Sequence, residues 1–224
     1  MIKIEEIENI EYLANENSKI AEEQMLKAEE MQLLVKLEIK RAKAREILVE
    51  NELELAKMRE KLAERSKKLV EKKEKVKALL KFSKEALIYE SIQANYNEQI
   101  AEIQKEEVVI QKKVADIETI IAEVKGKLVN KKINEAQVRK NLVKRQLIYI
   151  QLVKTNDSDE KITDARKYYL KQQDEISRIE AEANKINKTI VEKQVELANL
   201  KKQLSTLLGE RAKIRPIFSN LLVD

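Results

Sequence analysis

The chain has 224 residues, 38% of them charged and 4% aromatic, with a net charge of +5, two glycines, one proline, and neither cysteine nor histidine. So few turn formers among so many charges exclude an ordinary globule and point to long helices in coiled coils. The missing residue types remove a disulfide framework, a thiol nucleophile, an imidazole base and the usual zinc ligands.

Residues 1–30 hold 3 Lys against 9 Glu, a net of −6, and form an acidic N-terminal helical segment. Its apolar stripe is Ile7, Ile10, Ala14, Ala21, Ala28 and Met31, with Asn17 and Gln24 in the intervening slots. Two readings stand. The stripe packs lightly on neighbouring helices, or Ile2, Ile4, Ile7, Ile10 and Leu13 form a candidate membrane contact. Glu5, Glu6, Glu8, Glu11 and Glu16 weigh against the second, because interfacial helices usually carry Lys and Arg on the polar face.

Near Met31–Val35 the register slips and a second ladder begins, and residues 31–84 hold 17 Lys or Arg against 9 Glu, a net of +8. Its 14 core slots run from Leu34 to Leu79, and ten are apolar, among them Leu34, Leu37, Leu48, Leu55, Leu62 and Leu69. Asn51 in a core slot is of the kind that fixes register. A third ladder spans Ala86 to Leu152 and includes Ile103, Ile110, Ile117, Ile121, Val124 and Leu128. At ~1.5 Å per residue its helix would be roughly 100 Å long. Residues 31–153 are thus expected to form a long antiparallel helical hairpin with a bend near 81–84, the two ladders sealing its seam. Propensity alone also allows an unbroken helix there.

The strong break is KTNDSDE, where Asn156, Asp157 and Ser158 favour turns and make residues 154–160 a hinge. A third helix follows over 161–208. Its ladder from Ile162 to Leu207 has 12 apolar slots of 14 and includes Ile176, Ile179, Ile186, Ile190, Leu197 and Leu200. That seam is expected to act between subunits. Gly209 stands where a C′ glycine ends a helix, leaving a tail over 209–224 with the apolar cluster Ile217, Phe218, Leu221 and Leu222. The expected fold is therefore all-α and extended rather than globular: a coiled-coil hairpin followed by a third long helix.

No run of 18 apolar residues occurs, so no membrane span is expected. The acidic start does not resemble a secretory signal, which points to the cytoplasm. Gly126 and Gly209 are isolated, so no phosphate-cradling loop can be built, and the carboxylates alternate with Lys along exposed faces. An enzyme is not expected, nor a cofactor or metal. The basic stretch 61–84 could attract phosphates, but it lacks interleaved aromatics, so no specific nucleic-acid partner is expected.

Four stretches in order carry a resemblance: KAEEMQLLVKLEI (27–39), KALLKFSKEAL (77–87), NKKINEAQVRKNLVKRQ (130–146) and ISRIEAEAN (176–184). The chain resembles the family of phage shock protein A and the vesicle-inducing protein of plastids, within the bacterial ESCRT-III superfamily. The first stretch resembles the opening of that family's hairpin, the second falls at its turn, the third near the end of its second arm, and the fourth in the helix after its flexible break. The resemblance implies a homo-polymer of rings, spirals or rods. It further implies peripheral binding to an anionic membrane surface at the inner face, membrane maintenance or remodelling, and an AAA+ regulator or remodeller as partner. The alternative is a soluble coiled-coil scaffold or adaptor, a discrete oligomer that binds no lipid.

Overall fold

Lys, Glu, Ala and Leu, which dominate the sequence, are all strong helix formers. The computed structural model describes the backbone of residues 4–80 and 84–221, and the side chains of 6–76 and 86–214. Over these residues the protein is all-α, with three long helices, α1 (Ile4–Leu80), α2 (Lys84–Lys154) and α3 (Asp159–Leu221), and no strand. The bend expected at 81–84 falls largely outside the described residues. On its two sides Lys73 meets Glu90 at 2.7 Å and Lys67 meets Glu98 at 2.8 Å, so α1 and α2 run antiparallel.

The register slip expected near Met31 leaves the helix unbroken, and the helix end expected at Gly209 is absent. α1 passes through Met31 without a break. A column of buried small residues at intervals of seven (Ala14, Ala21, Ala28, Val35, Ala42, Val49 and Ala56) crosses that point with no slip. Likewise α3 continues past Gly209 to Leu221. Gly209 is not in the left-handed region that a C′ glycine would occupy. One glycine costs a helix about 1 kcal/mol relative to alanine, too little to end it where helix formers follow. The side chains of the apolar cluster beyond it, Ile217, Phe218, Leu221 and Leu222, lie outside the described residues.

The α2–α3 connection is a true stop. Asn156 has φ of 53°; its N–H goes to the Val153 carbonyl at 3.1 Å, and the N–H of Asp157 goes to that of Leu152 at 3.1 Å. That pair of bonds about a left-handed residue is a Schellman motif, and asparagine can replace glycine in it. Asp157 then accepts the Ser158 N–H at 2.7 Å and meets Lys161 at 3.1 Å, opening α3. The Ser158 bond, with Lys161 beside it, holds the Asp157 carboxyl below the usual carboxylate range.

The chain divides into two compact units. In the first, Met1–Ile39 with Ile121–Glu192, three helices share a core: Ile10 from α1, Val138, Leu142, Tyr149 and Ile150 from α2, and Ala165, Tyr169, Ile176 and Ile179 from α3. The Tyr149 and Tyr169 rings meet at 5.2 Å and 57°. Each large side chain in such a core contributes about 1.5–3 kcal/mol. In the second unit, Lys40–Ile120 with Lys193–Asp224, α1 and α2 meet through Val49, Ala56, Val108 and Ala115, with Leu53 against them. Small residues every seventh position let two helix backbones approach closely.

Gly126 of α2 lies on such an approach. A Cβ placed there would meet Val35 Cγ1 at 3.5 Å, ordinary van der Waals contact. Gly126→Ala is therefore expected to stabilise the protein by about 0.5–1 kcal/mol, because alanine fits and restricts the unfolded chain. Asn156→Val is expected to destabilise it by about 1–2 kcal/mol through its left-handed backbone. Urea unfolding followed by circular dichroism measures both; an unstable G126A or a neutral N156V would contradict the geometry.

Candidate functional site

The surfaces and seams of the three helices are the functional elements to place. The α1 leucines come first. Leu34, Leu37, Leu48, Leu55, Leu62 and Leu69 are 49–66% exposed. They do not form the seam of the hairpin. That seam runs one residue later, through Val35, Ala42, Val49, Ala56, Ala63 and Val70, all buried. Both ladders have the same period, and close approach to α2 selects the small one.

The α2 residues also take another partner. Ile117 and Ile121 are buried and Ile103, Ile110, Val124 and Leu128 are half-buried. In the first unit the same two heptad columns continue as Val138 and Leu142, which pack with Ile176 and Ile179 of α3. In the second unit, Lys201 and Arg211 of α3 reach Glu118 at 3.1 Å and Glu107 at 2.6 Å. This face of α2 therefore serves α3, while its small-residue column serves α1. The seam expected between subunits is accordingly occupied within the chain. Ile176, Ile179 and Ile190 are buried, and Ile186, Leu197 and Leu200 are half-buried.

The candidate membrane contact is divided. Ile10 is buried and Ile7 packs on the same three-helix core, so neither is presented outward. Leu13 is 40% exposed. The side chains of Ile2 and Ile4 lie outside the described residues.

A polar layer crosses the first unit. Arg139 of α2 donates to Asn17 of α1 at 3.2 Å, to Glu135 of its own helix at 3.0 Å, and to Glu180 of α3 at 2.6 Å. Glu135 also accepts from Gln24 at 2.9 Å. Asn17 and Gln24, which interrupt the N-terminal stripe in sequence, thus meet partners fixed 122 and 111 residues away. Sequence reasoning missed Arg139 as the centre of this layer. The signal was the pairing of polar core slots on α1 with a Glu and Arg four apart on α2.

In the second unit a groove of about 340 Å³ is lined by Glu52, Leu55, Arg59, Gln104, Glu107 and Arg211, among others. Glu107 is its most buried charge, 5% exposed in its side chain. Burial pushes its carboxyl above the usual carboxylate range, and Arg211 offsets that only in part. Burial acts on Glu118 in the same sense, but hydrogen bonds from Arg45 and Lys201 outweigh it and hold that carboxyl low. Among the described residues no group of three or more acidic side chains is placed to hold a metal ion. None of their helices is long and apolar enough to cross a membrane.

No protein-family model matches the chain, and no curated protein matches it.

Two expectations follow from the buried polar atoms. Tyr149 is fully buried, and its hydroxyl has no hydrogen-bond partner among the described residues. Tyr149→Phe should therefore leave stability unchanged or raise it, whereas Tyr149→Ala should cost about 3–5 kcal/mol. For Glu107 the folded pKa lies above the unfolded one, so its contribution is full at low pH and is lost as pH rises through the raised value. Glu107→Gln should raise the melting temperature at pH 7 and change it little at pH 4. Equal shifts at both pH values would contradict a buried, destabilised carboxylate.

Proposed function

We propose that the protein is a self-assembling helical protein that polymerises into rings, spirals or rods and maintains or remodels membranes, and that it works by surface complementarity with no catalytic step of its own. The observation that carries self-assembly is the α1 leucine ladder, exposed at heptad spacing although the intrachain seams are already filled. Each of these leucines stands to gain about 1 kcal/mol on burial, so six of them give a sum comparable to the association cost of a single contact. A lone pair of chains joined this way is marginal, and repetition of the contact supplies the rest.

The membrane role and an AAA+ regulator as partner rest on the resemblance to the phage shock protein A family, as does a cytoplasmic, peripheral location on the inner face. A second reading is a soluble coiled-coil scaffold or adaptor. It is favoured by one observation: Ile7 and Ile10 of the N-terminal stripe are held in the protein's own core.

Negative-stain electron microscopy of the purified protein, with and without anionic liposomes, separates the readings. Rings, spirals or rods together with coated or deformed liposomes are the expected result. Polymers that leave liposomes untouched would remove the membrane role, and particles of two or three chains would favour the scaffold.

A further inference from the structure

On α1 the three neighbouring heptad columns that stay exposed change character along the helix. Between residues 55 and 76 they carry Leu55, Leu62 and Leu69 as an apolar ridge. Beside that ridge stand Lys61, Arg65, Lys68, Lys72 and Lys75, all exposed, and no acid occupies these columns there. The acids of the stretch turn elsewhere, as Glu60 does to Lys105 of α2 at 2.7 Å.

Between residues 12 and 33 the same columns read differently. The apolar positions are Tyr12, Leu13, Ile20, Leu26 and Leu33, at 38–65% exposure, with Lys19 and Lys27 among them in the same two columns. The column that holds Arg65 and Lys72 in the later stretch holds Glu16, Glu23 and Glu30 here. Among the described residues, Glu16 and Glu23 pair locally on their own helix, with Lys19 at 3.4 Å and Lys27 at 3.7 Å. Such exposed pairs are weak and exchange readily for a better-buried partner.

From this we infer that the acidic face of α1 over residues 12–33 in one copy docks on the basic face of α1 over residues 55–76 in a second copy. The two faces have equal length, and each presents apolar side chains in heptad columns: Leu55, Leu62 and Leu69 on one, Leu13 with Ile20 and Tyr12 with Leu26 and Leu33 on the other. The column that holds Arg65 and Lys72 on the first holds Glu16, Glu23 and Glu30 on the second, so these charges are opposite. Leucines meet apolar side chains in the seam, while Glu16, Glu23 and Glu30 meet Arg65, Lys68 and Lys72 at its edge, as flanking charges do in coiled coils. The contact is heterologous, joining two different surfaces, so each copy that docks leaves a face for another. This inference rests on the self-assembly proposed above and names the surfaces that perform it.

Two charge-reversed variants test it: Arg65→Glu with Lys68→Glu and Lys72→Glu, and Glu16→Lys with Glu23→Lys and Glu30→Lys. All six side chains lie on the surface, and circular dichroism verifies that helicity is retained. In sedimentation velocity at low salt the wild type is expected to form fast-sedimenting assemblies that dissolve as salt screens the charges. Each variant alone should lose them. An equimolar mixture of the two should regain them, because each then supplies the charge that the other lacks. A variant that assembles like the wild type, or a mixture that stays dissociated, would overturn this contact and leave self-assembly standing. A wild type that never associates would overturn both. If the basic-face variant assembles normally but no longer floats with phosphatidylserine vesicles, that face meets lipid and the inference fails.

Discussion

The close approach of α1 to α2 is the constraint from which the other features follow. Alanine or valine recurs at every seventh position of α1 from Ala14 to Val70, and α2 answers with Ala94, Ala101, Val108, Ala115, Ala122, Val129 and Ala136. Side chains this small bury little area each, so the seam gains less from the hydrophobic effect than a leucine zipper would. What it gains is proximity: dispersion contacts along the backbones, and ion pairs such as Lys105–Glu60 and Lys125–Glu38 within 2.8 Å on its flanks. The leucines of α1 are displaced outward as a result. A leucine seam would have held the helices further apart and left no apolar ridge on the surface.

Small residues alone specify register poorly, since one alanine resembles the next. In the first unit the Arg139 layer supplies what the alanines lack. Its guanidinium touches all three helices and is 15% exposed, so a shift of one turn would leave a buried charge without its partners. The second unit has Glu118 in an analogous place, bonded to Arg45 of α1 and Lys201 of α3. α2 thus has two working faces, a small-residue column toward α1 and a large-residue face toward α3.

This double duty explains what could be read from the sequence. The all-α fold and the stop at Asn156 were legible, because composition and turn chemistry act locally. The positions of the α3 ladder were legible too, since its large residues Tyr169, Ile176 and Ile179 lie on the buried face, while the apolar residues off the ladder, such as Tyr168, Val191 and Val195, are scattered and exposed. On α1 two stripes share one period. Leu55 outweighs Ala56 in any reading by hydrophobicity, yet Ala56 is 2% exposed and Leu55 is 49%. Periodicity gives the spacing of a seam without saying which neighbour fills it. It therefore leaves the α3 seam open to another subunit, although Val138 and Leu142 of the same chain fill it.

The Schellman turn at Asn156 has a consequence for the order in which the chain comes together. It brings Tyr149 against Tyr169 across a short loop, whereas Asn17 reaches Arg139 only by closing one of 122 residues. The entropic difference between closing loops of these lengths is about 1.6 kcal/mol in favour of the short one. During synthesis from the N-terminus, moreover, Ile10 must wait for Tyr149 and Ile150 to leave the ribosome before its core exists. Until α2 begins to emerge, α1 is a nascent helix with both its alanine column and its leucine ridge unpartnered; as residues 94–136 follow, the column fills from its C-terminal end while the ridge stays bare. Its dense Lys and Glu then act as a solubilising coat.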